Sequence, residues 1–172
     1  MTALLRVFFD ICLLRQGPQD LPAAQALLWI SLLAHAIGSL LLASISLSGE
    51  VAMFSALVES LLMVTLSYVL LSVNNRRARW PQTLTALAGT NVILVMVALP
   101  LMVWWQSLRA ANLDQTMPAL LILGLVIWNL MILAHIFRHA LSSRFGLGML
   151  TAIGYYCLSA VIIQLLVPME AV

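Results

Sequence analysis

The sequence predicts an all-α membrane protein: a bundle of five transmembrane helices preceded by a short N-terminal interfacial helix. Three observations predict it. Of 172 residues, 63% are hydrophobic and only 8% are charged, whereas a soluble domain carries about 25% charged residues. A water-soluble fold of this size leaves much of its area exposed and could not hide so much apolar surface. Apolar runs of the roughly 20 residues that a bilayer crossing requires occur five times, at 22–48, 51–73, 83–105, 118–137 and 147–167. The connectors between them are short, so residues 1–172 read as a single membrane domain.

Residues 2–15 are too few to span. Thr2, Arg6 and Asp10 recur every four residues and put one polar stripe on an apolar helix, which Gly17-Pro18 is expected to stop. This pattern predicts a helix lying in the membrane interface; a helix packed against the bundle or re-entering it is the alternative. Asp10 interrupts the apolar stretch and no small-residue cleavage site follows, so a removable signal peptide is not expected. Pro22, Pro81 and Pro118 each mark the start of a span, where the missing proline N–H costs nothing. Asp20 and Thr116 are the candidate caps. Pro100 falls late in the third span, where a kink is expected.

Orientation follows from arginine. Arg6 and Arg15 precede the first span; Arg76, Arg77 and Arg79 follow the second; Arg138 and Arg144 follow the fourth. In a five-span chain these segments share one side, and the other side holds Arg109 with Glu50, Asp114 and Glu170. The positive-inside rule then places the N-terminus in the cytoplasm and the C-terminus outside it. Trp80, Trp104 and Trp105 fall at the two ends of the third span as an aromatic belt, while Trp29 and Trp128 read as packing residues. Small residues four apart, Ala34–Gly38, Thr85–Gly89 and Gly148–Ala152, predict close helix contacts, either within the bundle or with a partner.

Glu59 carries the most information about chemistry. It lies about 12 Å inside the second span at 1.5 Å per residue, where a charge is expensive and marks a candidate site. His35 in the first span and Asn129 in the fourth are expected near mid-depth. The Ser48-Gly49-Glu50 hairpin lets Glu59 and His35 approach. The three form either an intramembrane polar site or a neutral hydrogen-bonded cluster that fixes helix register. Asn91, Gln164 and Tyr155-Tyr156 are expected to bond or pack between helices. Arg76, Arg77 and Arg79 form a basic patch that either sets topology or meets anionic lipid heads. His135 and His139 are one turn apart, but no third ligand accompanies them, so neither a metal nor another cofactor is expected. Cys12 and Cys157 should not pair. Ser–His–Asp and zinc-protease spacings are absent, as is a glycine-rich phosphate loop, and the net charge of +2 gives no reason to expect nucleic acid.

The stretch Leu14-Arg15-Gln16-Gly17-Pro18-Gln19-Asp20-Leu21-Pro22 resembles the approach to the first span in small bacterial proteins placed in or near the Yip family. The layout also resembles that family: a short cytoplasmic N-terminus, five spans and an outside C-terminus. The resemblance implies a bacterial inner-membrane protein. Eukaryotic members are associated with membrane traffic and small GTPases, but this chain lacks their long cytosolic N-terminal region, so no functional residue carries over. The expected function is a non-enzymatic structural or accessory subunit, with the lipid bilayer and either another membrane protein or a second copy as partners. The rival is a small transporter or channel component built on Glu59 and His35.

Overall fold

The computed structural model describes residues 2–166. Six helices run in order: α1 (Thr2–Cys12), α2 (Gln25–Ala43), α3 (Gly49–Val73), α4 (Trp80–Ala110), α5 (Thr116–Ala140) and α6 (Phe145–Leu166). Single 3₁₀ turns occupy Pro18–Asp20 and Arg77–Arg79, and no strand occurs among the described residues. Helices α2 to α6 are each long and apolar enough to cross a bilayer, and the chain is an integral membrane protein. Val167, the expected end of the fifth span, and Glu170 with the rest of the C-terminus lie outside the described residues.

Several boundaries shift for local reasons. The first span runs over Gln25–Ala43 rather than 22–48. Residues 22–24 stay outside the helix, and Ala24, its N-cap, is extended (φ −98°, ψ 124°). At the far end the Ser44 hydroxyl donates to Leu41 O (2.8 Å), a serine-to-backbone bond of the kind that competes with helix continuation. Asp20 caps no span; its Oδ2 accepts the Gly17 N–H at 2.8 Å and closes the preceding turn. At α5 Thr116 is the first helical residue and not the cap; Gln115 is the N-cap and makes no side-chain cap bond, and Asp114 before it closes the turn. Asp114 Oδ1 accepts from the Thr116 N–H (3.0 Å) and hydroxyl (2.6 Å), and these bonds hold its carboxyl below the usual range. Helix α4 continues through Pro100 and, at 31 residues, is about 46 Å long. That exceeds the hydrocarbon thickness, so its ends extend beyond the apolar run of 83–105.

Four helices stop by one device. Leu14, Asn75, Asn112 and Ser142 take φ of 61°, 55°, 53° and 51°. In each case the next N–H reaches back five residues: Arg15 to Asp10 O, Arg76 to Leu71 O, Leu113 to Leu108 O and Ser143 to Arg138 O. This is the left-handed helix stop that glycine usually serves. At Leu14 that conformation costs a side-chain-bearing residue about 1–2 kcal/mol, and it ends α1 before Gly17-Pro18 is reached.

The spans pack as a ring in the order α3, α2, α4, α5, α6. The α2–α4, α5–α6 and α4–α5 interfaces are broad, whereas α6 touches α3 only sparsely. This leaves a weak seam between α3 and α6. Two of the small-residue pairs pack span on span within the ring, and the third takes α1. Gly38 faces Val95 across α2–α4, Gly148 lies on the α5 backbone at Ala134 and Arg138, and Gly89 receives the Phe8 ring. Helix α1 therefore does more than rest on the bundle end. Phe8, Ile11 and Cys12 are buried while Leu5, Phe9 and Leu13 face outward, and α1 packs on α4 and α5. Gly89 is nine residues into α4, about 13 Å from its start. Trp128 Nε1 donates to Cys12 O (2.9 Å) and His135 Nε2 bonds Gln16 O (2.8 Å), which fixes the α1 stop to α5. Burial pushes the Cys12 thiol from 9.0 to about 11, and both cysteines are free. Trp128 packs as the sequence suggests, but Trp29 is 67% exposed and points away from the bundle.

Both ends are tied laterally. Gln82 donates to Leu21 O (2.8 Å), and Arg79 donates to His139 O and Ala140 O (3.0 and 3.1 Å). The arginine-bearing connectors therefore share one end. Gln106 donates to Ser46 Oγ and Trp105 to Gln115 Oε1, each at 2.8 Å, which gathers the opposite end.

Candidate functional site

Glu59 stands near the middle of α3, on the face that turns toward the weak seam. Two adjoining cavities, of about 240 and 270 Å³, share Glu59, Asn91, Asn129 and Tyr156 on their walls. The first extends toward the arginine-rich end, past Met63, Leu87, Thr90 and Leu133, and is flanked by Tyr155 and Ser159 of α6. The second extends the other way, past Leu94, Ala98, Met102 and Ile122, and its far wall is apolar. Polar groups thus collect at the junction of the two cavities. Glu59 and Asn91 are partly buried and Tyr156 is 38% exposed, so the space reaches the surface where α3 and α6 barely meet.

Helical spacing explains how these side chains come together. On α4, Leu87, Thr90, Asn91, Leu94 and Ala98 follow the i, i+3, i+4 rhythm of one face. On α6, Tyr155, Tyr156, Ser159 and Ile163 do the same. Behind the wall, His35 is fully buried and its Nδ1 lies 2.8 Å from the Asn91 amide nitrogen. His35 Nε2, Ser39 Oγ and Ser159 Oγ are buried without a hydrogen-bond partner among the described residues. Ser39 Oγ approaches the Glu59 carboxyl but makes no bond of good geometry.

The three candidates picked from sequence therefore have different places. Glu59 and Asn129 line the same two cavities. His35 is one residue back, joined to the site through Asn91 rather than to Glu59 itself. Asn91 was expected to bond between helices, but its central position had no local signal. Tyr155, Tyr156 and Ser159 could have been placed by projecting α6 onto a helical wheel and asking which face carries oxygen.

Arg76 and Arg79 converge on Ser142, whereas Arg77 turns aside. Arg79 Nη1 clamps the α5 terminus and Ser142 Oγ (2.6 Å). Arg76 Nη1 reaches Ser142 Oγ at 3.4 Å. Arg77 lies over the Tyr68 ring, 5.9 Å from its centroid. The His135 and His139 rings are 4.7 Å apart, centre to centre, and His135 spends Nε2 on Gln16 O. Among the described residues no three histidine, cysteine or acidic side chains gather as metal ligands. The only ion pair among them, Arg6–Asp10 at 3.8 Å, is remote from Glu59, so the acid in the cavity faces no basic partner there.

No family model, curated protein or solved structure matches the chain.

Proposed function

We propose that the chain is a non-enzymatic accessory membrane protein. Its cleft at Glu59 receives a hydrogen-bonding or cationic group of a membrane partner, lipid or protein, entering from the side. One observation carries this reading: the single intramembrane acid among the described residues lies at the junction of two cavities, at the weakest seam of the ring, with no counter-charge among them. A carboxyl that served only helix register would be closed off by interhelical hydrogen bonds. Glu59 instead has only the imperfect approach of Ser39. No histidine lies on the cavity wall to pair with a nucleophile, which favours binding over catalysis.

The test compares wild type with Glu59→Gln and Glu59→Leu, each purified in mild detergent. Lipids and proteins retained are quantified alongside the melting temperature. Leucine removes both the acceptor and the charge. Loss of one hydrogen bond to a charged group is worth about 1.5–3 kcal/mol, so retention of the bound species should fall about tenfold or more. Unchanged retention in both variants would reduce Glu59 to a packing residue. The transporter reading keeps a specific handle: a proton or solute flux in proteoliposomes that Glu59→Gln abolishes would replace binding by transport.

The arginine-rich end is proposed to face the cytoplasm of a bacterium, in its inner membrane, by the positive-inside rule. Reporter fusions after Glu50 and Asp114 should then read outside, and those after Arg79 and Ser143 inside. The reverse pattern would sink this orientation. A place near the Yip family rests on the 14–22 stretch and the span count, and is proposed on those alone.

A further inference from the structure

At the arginine-rich end, away from the Glu59 cleft, we infer a binding site for an anionic phosphate group. The site is an open cavity of about 440 Å³ where the α1–α2 connector, the start of α4 and the end of α5 meet. Arg79, Arg138 and His139 line it, with the hydroxyl-bearing Ser142 and Ser143, and no carboxylate is on its wall. Arg79 uses only Nη1 to clamp the α5 terminus, leaving its other guanidinium donors without partners among the described residues. Arg138 touches His139 Nε2 through Nη2 (3.2 Å), and its guanidinium carbon lies 5.9 Å from the Phe145 ring centre. It too has donors to spare. Ser143 Oγ is buried without a partner. Asp20 is the one acid near His139, and its Oδ2 is taken by the Gly17 N–H.

The chemistry follows from the donor set. Two guanidinium groups present planar forks of N–H donors, the geometry that suits phosphate oxygens. A hydroxyl that lacks a bundle partner adds a neutral donor. The cavity lies at the terminus of two spans, the level at which lipid phosphates sit. The occupant is therefore the head of an anionic lipid or free inorganic phosphate, which share this chemistry. The inference is independent of the Glu59 reading, since the two sites have no wall residue in common.

The full chain is placed in nanodiscs that mix phosphatidylglycerol with phosphatidylcholine, and lipids retained on gentle extraction are measured by native mass spectrometry. Both lipids carry a phosphodiester, but only phosphatidylglycerol has a net negative charge, which each arginine near the membrane surface favours severalfold, so wild type should retain phosphatidylglycerol about tenfold over phosphatidylcholine. Arg138→Gln should erase the preference, while Arg77→Gln, whose guanidinium lies over Tyr68, should keep it. In discs of phosphatidylcholine alone, inorganic phosphate is titrated against the melting temperature. A saturable rise that Arg138→Gln removes identifies free phosphate as the occupant of the same site. No lipid preference together with no phosphate effect overturns the inference. Equal losses in Arg77→Gln and Arg138→Gln overturn it as well, because diffuse surface charge would then suffice. Should Arg138→Gln not assemble, Ser143→Ala decides: the fold holds and the preference falls, or the preference is unchanged and the site is refuted.

Discussion

Gly148→Leu is expected to lower stability in mild detergent by about 3 kcal/mol and to loosen α6 from the bundle. A Cβ at Gly148 would stand 2.5 Å from Ala134 O and 3.1 Å from Arg138 N. Both are backbone atoms of α5, so no flexible side chain can yield. Overpacking a fitted site costs about 1–3 kcal/mol and occasionally more, and the rigid neighbours place this case at the upper end. Helix α6 is held chiefly by its one broad interface, on α5, and Gly148 lies within it. Gly148 and Ala152 are its only buried residues, and its contact with α3 is sparse. In lipid no hydrophobic drive presses helices together, so close packing at small residues decides their association. Gly154→Leu is the control, because nothing lies within 4 Å of a Cβ there, and it should leave the melting temperature nearly unchanged. Equal melting temperatures for the two variants would refute the Gly148 contact. Because α6 forms one side of the Glu59 cleft, Gly148→Leu should also reduce any species retained there.

The span count was legible because each apolar run is long enough to cross and nearly free of charge. The helix ends were not, for reasons that differ by site. Hydropathy marks an apolar stretch rather than a helix, so α4 continues to Ala110 through Gln106 and Arg109. In the opposite sense, Ile45 and Leu47 look like the tail of the first span yet lie in a turn. Leu14 and Ser142 stop helices by taking a left-handed conformation for which neither residue type is a signal. The docking of α1 depends on Phe8 meeting Gly89, a contact between distant positions that no window of sequence can contain. Glu59 was legible as a candidate because a single acid in an apolar span is conspicuous by itself. Its surroundings were only half legible: Asn129 shares its depth, but Asn91 reaches the cleft through the way α4 faces α2 and α3. The basic patch was partly legible: Arg76 and Arg79 meet at Ser142 Oγ, whereas Arg77 turns to the Tyr68 ring and Arg79 also binds the last α5 carbonyls, which a run of arginines in sequence does not reveal.

Asn91→Leu should destabilise the bundle by about 1–3 kcal/mol, and adding His35→Leu should recover most of that loss. His35 is fully buried, its Nε2 has no partner among the described residues, and its Nδ1 meets only the Asn91 amide. Removing Asn91 orphans Nδ1 beside the already unpaired Nε2, and a newly unsatisfied buried group costs about 1–3 kcal/mol. Replacing both partners with apolar side chains of similar size removes the polar groups together with their desolvation cost, which can be nearly neutral. The measurement is a double-mutant cycle on unfolding in detergent, in which the coupling should exceed 1 kcal/mol, within the range for residues in contact. Additive losses would mean that the pair is not a unit. The cycle also separates stability from binding. Asn91 lines the cleft and His35 does not, so the double variant should regain stability while any species held beside Glu59 remains weakly bound. If binding returned with stability, Asn91 would serve the site only by keeping α4 in place, and recognition would fall to Glu59, Asn129 and the α6 tyrosines.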